Sequence, residues 1–251
     1  MVLAGDDRVA VAATEAVQRG DLNALRELLR DHPGLASAEI GDEGEVGTRR
    51  SLLHAATDWP GHFPNNVAVV RLLIEHGADV NVRFAGPHTE TPLHWAASSD
   101  DVDVLDALLD AGANIEASGA VIAGGTPIAD ATAFGQWNAA RRLVERGART
   151  NLYESAVMGL MDRVEAELNA APPPTADEIT GAFWGACAGG QLGTAQLLAA
   201  RGADTSRAST WDGLTPLQAA RRSRDEDAGR EPSARQTDRQ FAETVDWLET
   251  L

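Results

Sequence analysis

The run Thr91-Pro92-Leu93-His94-Trp95-Ala96-Ala97, followed by Leu108-Leu109 and Gly112-Ala113-Asn114, constrains this chain more than any other segment. It recurs. Thr126-Pro127-Ile128-Ala129-Asp130-Ala131 stands 35 residues later, with Leu143-Val144 and Gly147-Ala148-Arg149 behind it. Thr215-Pro216-Leu217-Gln218-Ala219-Ala220 opens another copy, and Ser51-Leu52-Leu53-His54-Ala55-Ala56 a worn earlier one. Leu72-Leu73 with Gly77-Ala78-Asp79, and Leu197-Leu198 with Gly202-Ala203-Asp204, are the matching ends. Self-similarity at a fixed period implies a solenoid. One copy is too small to bury its own apolar face, so neighbours must stack to bury it.

The physics of one copy is read from residues 90–118. Thr91 is placed to accept a backbone N–H as N-cap, and Pro92 suits the first helical position, where its missing donor costs nothing. Leu93, Ala96 and Ala97 form a short buried face. A second helix is expected from about Val102 to Asp110, with Val104, Leu105, Leu108 and Leu109 at helical spacing. Gly112 then ends it in a left-handed conformation.

Thr-Pro-Leu-His-x-Ala at a period of about 33 residues is the ankyrin signature, and the chain resembles the ankyrin-repeat family over nearly all its length. The resemblance implies an all-α solenoid of about seven helix–turn–helix repeats joined by short turns, in a bacterial-type protein. The expected organisation is one domain over 1–251. It has an N-terminal capping unit at 1–37, an exposed connection at 38–50, central units at 51–212, and a C-terminal capping unit at 213–251 with a mobile insertion at about 221–240. About five extra residues are expected between the helices of the second repeat, near Trp59 to Asn65. Pro172-Pro173-Pro174 stops a trimmed fifth repeat. Thr180 and Gly181 stand where the sixth should have Thr-Pro.

Charge narrows the function classes. The formal net charge is −17, from 21 basic against 38 acidic residues, and all 21 are arginine. Such a polyanion repels nucleic acid and anionic lipid. Without lysine there is no Schiff-base or P-loop lysine; a GC-rich genome accounts for the bias. Cys187 is the only cysteine, which excludes an internal disulfide and a cysteine zinc cluster. Asp6, Asp7, Arg8 and Glu15 interrupt the first twenty residues, so no signal peptide is expected, and no apolar run is long enough to span a membrane. The expectation is a cytoplasmic monomer without cofactor or metal.

In ankyrin stacks the first helices and the inter-repeat turns form a concave binding face, and the resemblance directs attention there. Aligning the repeats puts Ala55, Trp95, Asp130, Trp184 and Ala219 in one column, with Phe134 about one turn after Asp130. Two tryptophans in such a column are unusual where aromatics make up 5% of the residues. Burying one at an interface contributes about 2–4 kcal/mol. The bland alternative is that each fills a gap beside a small neighbour. The turns add Phe84 and His88, the apolar pair Val121 and Ile122, and Trp211; Trp59 lies in the inserted loop. Val121 and Ile122 either face a partner or fold over their own stack.

His54 and His94 occupy the signature position, where the resemblance implies bonds to backbone or to the capping hydroxyl of a neighbouring repeat. Asp130 replaces an apolar residue and is a candidate to face either histidine. A His54/His94–Asp130 pair beside tryptophan would make a metal-free acid–base pocket. Two functions follow. The first is a protein-interaction module that binds, through its concave face, a partner with a basic or mixed surface. The alternative is a pocket for a small apolar or aromatic molecule, possibly catalytic.

Overall fold

The computed structural model describes residues 1–41, 47–229 and 240–251, which form two compact units, Met1–Arg149 and Thr150–Leu251. The first opens with β1 (Val2–Leu3), α1 (Arg8–Arg19) and α2 (Leu22–Asp31). Asp7 caps α1 by accepting the Val9 and Ala10 amides, and Asp21 does the same for α2 at Asn23 and Ala24. Each carboxylate satisfies orphan donors and meets the positive helix end.

A short sheet follows where an exposed connection was expected. β2 (Glu39–Gly41) pairs in parallel with β1 and antiparallel with β3 (Arg49–Ser51). Alternation along the strand turns Ile40 inward, and Ala38 and Ile40 are buried. Gly41 ends β2, and residues 42–46 lie outside the described residues.

Three helix pairs complete the unit: α3 (Leu52–Thr57) with α4 (Asn66–Glu75), α5 (Pro92–Ser98) with α6 (Val102–Asp110), and α7 (Pro127–Ala133) with α8 (Trp137–Glu145). The first helices α1, α3, α5 and α7 pack side by side, and α2, α4, α6 and α8 form a second row. Leu52, Leu53, Leu73, Leu93, Leu105, Leu108, Ile128 and Leu143 are fully buried between the rows. Each contributes about 1.5–3 kcal/mol relative to exposure. The insertion after α3 is pinned by Asp101, whose carboxylate accepts the His62 amide at 2.8 Å and the Asn66 side-chain amide at 3.1 Å. Gly61 is left-handed, and a Cβ there would lie 2.8 Å from Ser99 Cβ, so the tight approach needs glycine.

The second unit contains α9 (Leu152–Met158), α10 (Met161–Leu168), α11 (Ala176–Ala188), α12 (Leu192–Ala200), α13 (Pro216–Ala228) and α14 (Phe241–Leu248). Two expectations are corrected here. α11 starts before Thr180, because Thr175 and Glu178 form a capping box and add a turn after the prolines. Thr180 is instead mid-helix, where its hydroxyl accepts the Asp204 amide at 3.1 Å. Residues 221–228, read as the start of an insertion, continue α13; residues 230–239 lie outside the described residues. Phe183, Ala186, Cys187, Leu198 and Val245 centre the core.

Candidate functional site

His54 and His94 are built into the scaffold. Ser51 and Thr91 are the N-caps of α3 and α5, and each forms a capping box with the histidine at the third helical position. Their backbone N–H groups donate to Nδ1 of His54 at 3.3 Å and of His94 at 3.1 Å. With Nδ1 accepting, Nε2 carries the proton and donates to the next repeat: His54 to the Glu90 carbonyl at 3.1 Å, His94 to the Gly125 carbonyl at 3.4 Å. Burial pushes both imidazoles down to about 4. Both nitrogens of each ring are therefore occupied, and neither is free to move a proton.

Trp95 lies beside this scaffold. Its indole meets His54 with centroids 4.8 Å apart and Phe84 with centroids 5.4 Å apart. Phe84 is held there by the hairpin turn between repeats, since its amide donates to the Glu90 carbonyl at 2.8 Å. Trp95 and Phe84 are both half-buried. The two rings thus form an apolar patch over a buried polar anchor.

Asp130, on α7, is 1% exposed. Thr126, its N-cap, makes no side-chain cap bond, and Ala129 stands where α3 and α5 carry His54 and His94, so no side chain reaches back to complete a capping box. Asp130 turns to the adjoining turn instead: its carboxylate accepts from the Ile122 and Val121 amides. Burial, opposed by those amides and aided by nearby Glu90, raises it to about 7. The expected pairing with His54 or His94 gives way to this backbone contact, because the imidazoles are already bonded on both sides. Val121 and Ile122 are exposed at the turn tip, with Ala123 and Gly124 in left-handed conformation.

The other candidates are dispersed. Trp59 is 76% exposed in the inserted loop, Phe134 caps the C-terminal end of α7 and is exposed, and His88 is exposed in its turn. In the second unit, Trp184 is 5% exposed and its Nε1 donates to the Leu214 carbonyl at 2.8 Å. Trp184 is therefore a packed residue and not an exposed column residue as alignment suggested: the column faces inward here as it does at Ala55, Asp130 and Ala219, which are also buried. Exposed Trp211 stacks edge-on against it at 4.8 Å, and Tyr153 meets Trp211 at 6.2 Å. Burial pushes the Tyr153 phenol up to about 12. Sequence reasoning missed Tyr153 and Glu90; a lone Glu before Thr-Pro reads as an ordinary turn residue.

A cleft of about 480 Å³ lies beside α4, lined by Arg26, Asn65, Asn66, Arg71, Leu72 and Glu75 and containing none of the candidate residues. Among the described residues, no group of three or more His, Cys, Asp or Glu is placed to hold a metal ion. No helix among them is long and apolar enough to cross a membrane.

Comparison with known proteins agrees with the architecture. Residues 13–119 match the family model for ankyrin repeats, in three copies. Over 99 residues the chain is 33% identical to palmitoyltransferase AKR1 of Kluyveromyces lactis and 34% identical to palmitoyltransferase AKR1 of Lachancea kluyveri. Each alignment takes in 39% of this chain, which spans only 12% of the length of either relative. The human ASB11 ankyrin repeat domain is similar with a TM-score of 0.51 at 21% identity, over 94% of this chain and 96% of that one, and speaks for the fold alone. The recurring motif, the two rows of paired helices and these matches lead to one conclusion: residues 13–119 are ankyrin repeats, and the chain has the fold of an ankyrin-repeat domain.

Proposed function

We propose that this chain is a protein-interaction module that holds its partner on the concave face made by the first helices and turns of Met1–Arg149. Ankyrin repeats generally serve protein–protein interaction. The observation that carries the reading is the half-buried Trp95–Phe84 pair. Exposed Val121 and Ile122 add apolar surface on the neighbouring turn. Aromatic anchors of this kind dominate interface energetics. The net charge of −17 favours a partner with a basic or mixed surface, met by a monomer in the cytoplasm.

The test is capture of partners on immobilised wild type and on Trp95→Ala, followed by titration of the identified protein in purified form. A ten- to hundredfold weaker complex with the variant, at unchanged helical circular dichroism, is expected. Equal affinity of the two proteins overturns the reading.

A further inference from the structure

We propose that Glu90 and Asp130 form a receptor for one arginine side chain of the partner protein, beside the Trp95–Phe84 pair. The proposal rests on the interaction role above and names the group that role recognises.

Two buried acids each hold one oxygen without a donor. Glu90 is 7% and Asp130 1% exposed, and neither Glu90 Oε2 nor Asp130 Oδ1 has a hydrogen-bond partner among the described residues. Buried polar atoms are nearly always paired, and two in one neighbourhood call for a common explanation. Both acids flank the turn at 119–125: the Thr89 amide, next to Glu90, donates to the Gly119 carbonyl at 3.2 Å, Gly125 packs against Ala129, next to Asp130, and the charge of Glu90 helps raise the Asp130 carboxyl. Their position is also tied to the aromatic pair, because the Glu90 carbonyl accepts from both Phe84 and His54.

The neighbouring cations are committed elsewhere. The Arg83 guanidinium donates to the carbonyls of Thr89 and Ser118, and Arg50 pairs with Asp58 at 2.6 Å. His54 and His94 are bonded at both nitrogens. A cation from outside would complete the site. Arginine fits better than lysine, since its planar fork presents five N–H donors to two carboxylates and its face stacks on an indole. The strong negative charge of the chain steers such a group inward.

The turn at 120–125 is the cover. Its Ile122 and Val121 amides sit on Asp130, and its tip is solvent-exposed. Entry of the guanidinium requires the tip to lift and exchanges those amide bonds for charge-assisted ones.

The probe is acetyl-arginine amide, titrated against the intact chain with tryptophan fluorescence and NMR shifts, with acetyl-citrulline amide and acetyl-lysine amide alongside. Arginine is expected to saturate the signal at a concentration at least tenfold below that needed with either control. Glu90→Gln and Asp130→Asn each weaken it tenfold or more while urea unfolding stays cooperative. Because the cation requires ionised Asp130, affinity falls about tenfold from pH 8 to pH 6 in wild type and stays level in Asp130→Asn. Equal responses to arginine and citrulline, no response to arginine, or occupation by Mg²⁺ or Ca²⁺ in its place would each overturn the receptor. The citrulline comparison uses wild type alone, so a poorly folding variant does not blunt it. A partner lost by Trp95→Ala but kept by both acid variants overturns the receptor and leaves the interaction role standing. A partner kept by Trp95→Ala overturns the interaction role itself.

Discussion

Trp95 meets His54 edge to face, with ring centroids 4.8 Å apart and planes at 70°. The two rings belong to successive repeats, so this contact joins α3 to α5 where His54 also bonds the Glu90 carbonyl. The indole is otherwise left half-buried.

Trp95→Phe separates these roles. A phenyl ring keeps much of the apolar contact with Phe84 and His54 and loses indole area at the surface. The expected outcome is a destabilisation of about 1 kcal/mol by urea unfolding, with partner affinity still within tenfold of wild type. A loss as large as that of Trp95→Ala would show that the indole itself is read.

The buried histidines make stability fall in acid. The unfolded chain takes up protons near the ordinary histidine value of 6.5, while His54 and His94 stay neutral down to about 4. Their contribution is complete above pH 6.5 and is lost as pH falls toward 4. Asp130 works the other way over part of the same range. Being raised to about 7, its proton is bound more tightly in the folded state, so its contribution is lost as pH rises from about 4 to 7. Asp130→Asn should therefore steepen the acid loss between pH 4 and 6.5 in urea midpoints. An unchanged slope would refute this.

His94→Ala removes a cap and a bond to the next repeat. With the Thr91 and Gly125 contacts gone, a cost of about 2–4 kcal/mol is expected. His94→Gln should recover part of that by rebuilding the capping box. Thermal unfolding of the three proteins checks the order.

In the second unit, Trp184→Phe should cost about 1–2 kcal/mol through the lost bond to the Leu214 carbonyl. Gly185→Ala should be destabilising too, because its Cβ would lie 2.8 Å from the Tyr153 ring. Urea unfolding followed by Trp fluorescence reads both, and no change in midpoint for Gly185→Ala would show that the ring simply swings away.

The local chemistry was legible along the chain. Thr91-Pro92 and His94 announced a capped helix, Gly112 its end, and Leu105 and Leu108 the buried face, because each acts on neighbours within a few positions. The structural role of the signature histidines was legible as well, but the hydroxyl each one bonds is its own repeat's cap three residues back and not a neighbour's, and only the backbone bond crosses to the next repeat. Other features needed tertiary structure. The pairing of β1 with β2 brings together strands far apart in sequence, so nothing near Ile40 alone signals it. Trp95 and Trp184 share a column by alignment, yet packing leaves the first half-buried and seals the second against the Leu214 carbonyl. The turn amides at Val121 and Ile122 come to Asp130 only once the chain folds back. Sequence spacing therefore determined the repeat, its caps and its helix faces, which depend on contacts close in the chain. The tertiary structure alone decided which aromatic rings reach the surface and which carboxylate oxygens are buried without a donor, because burial is set by packing between distant segments.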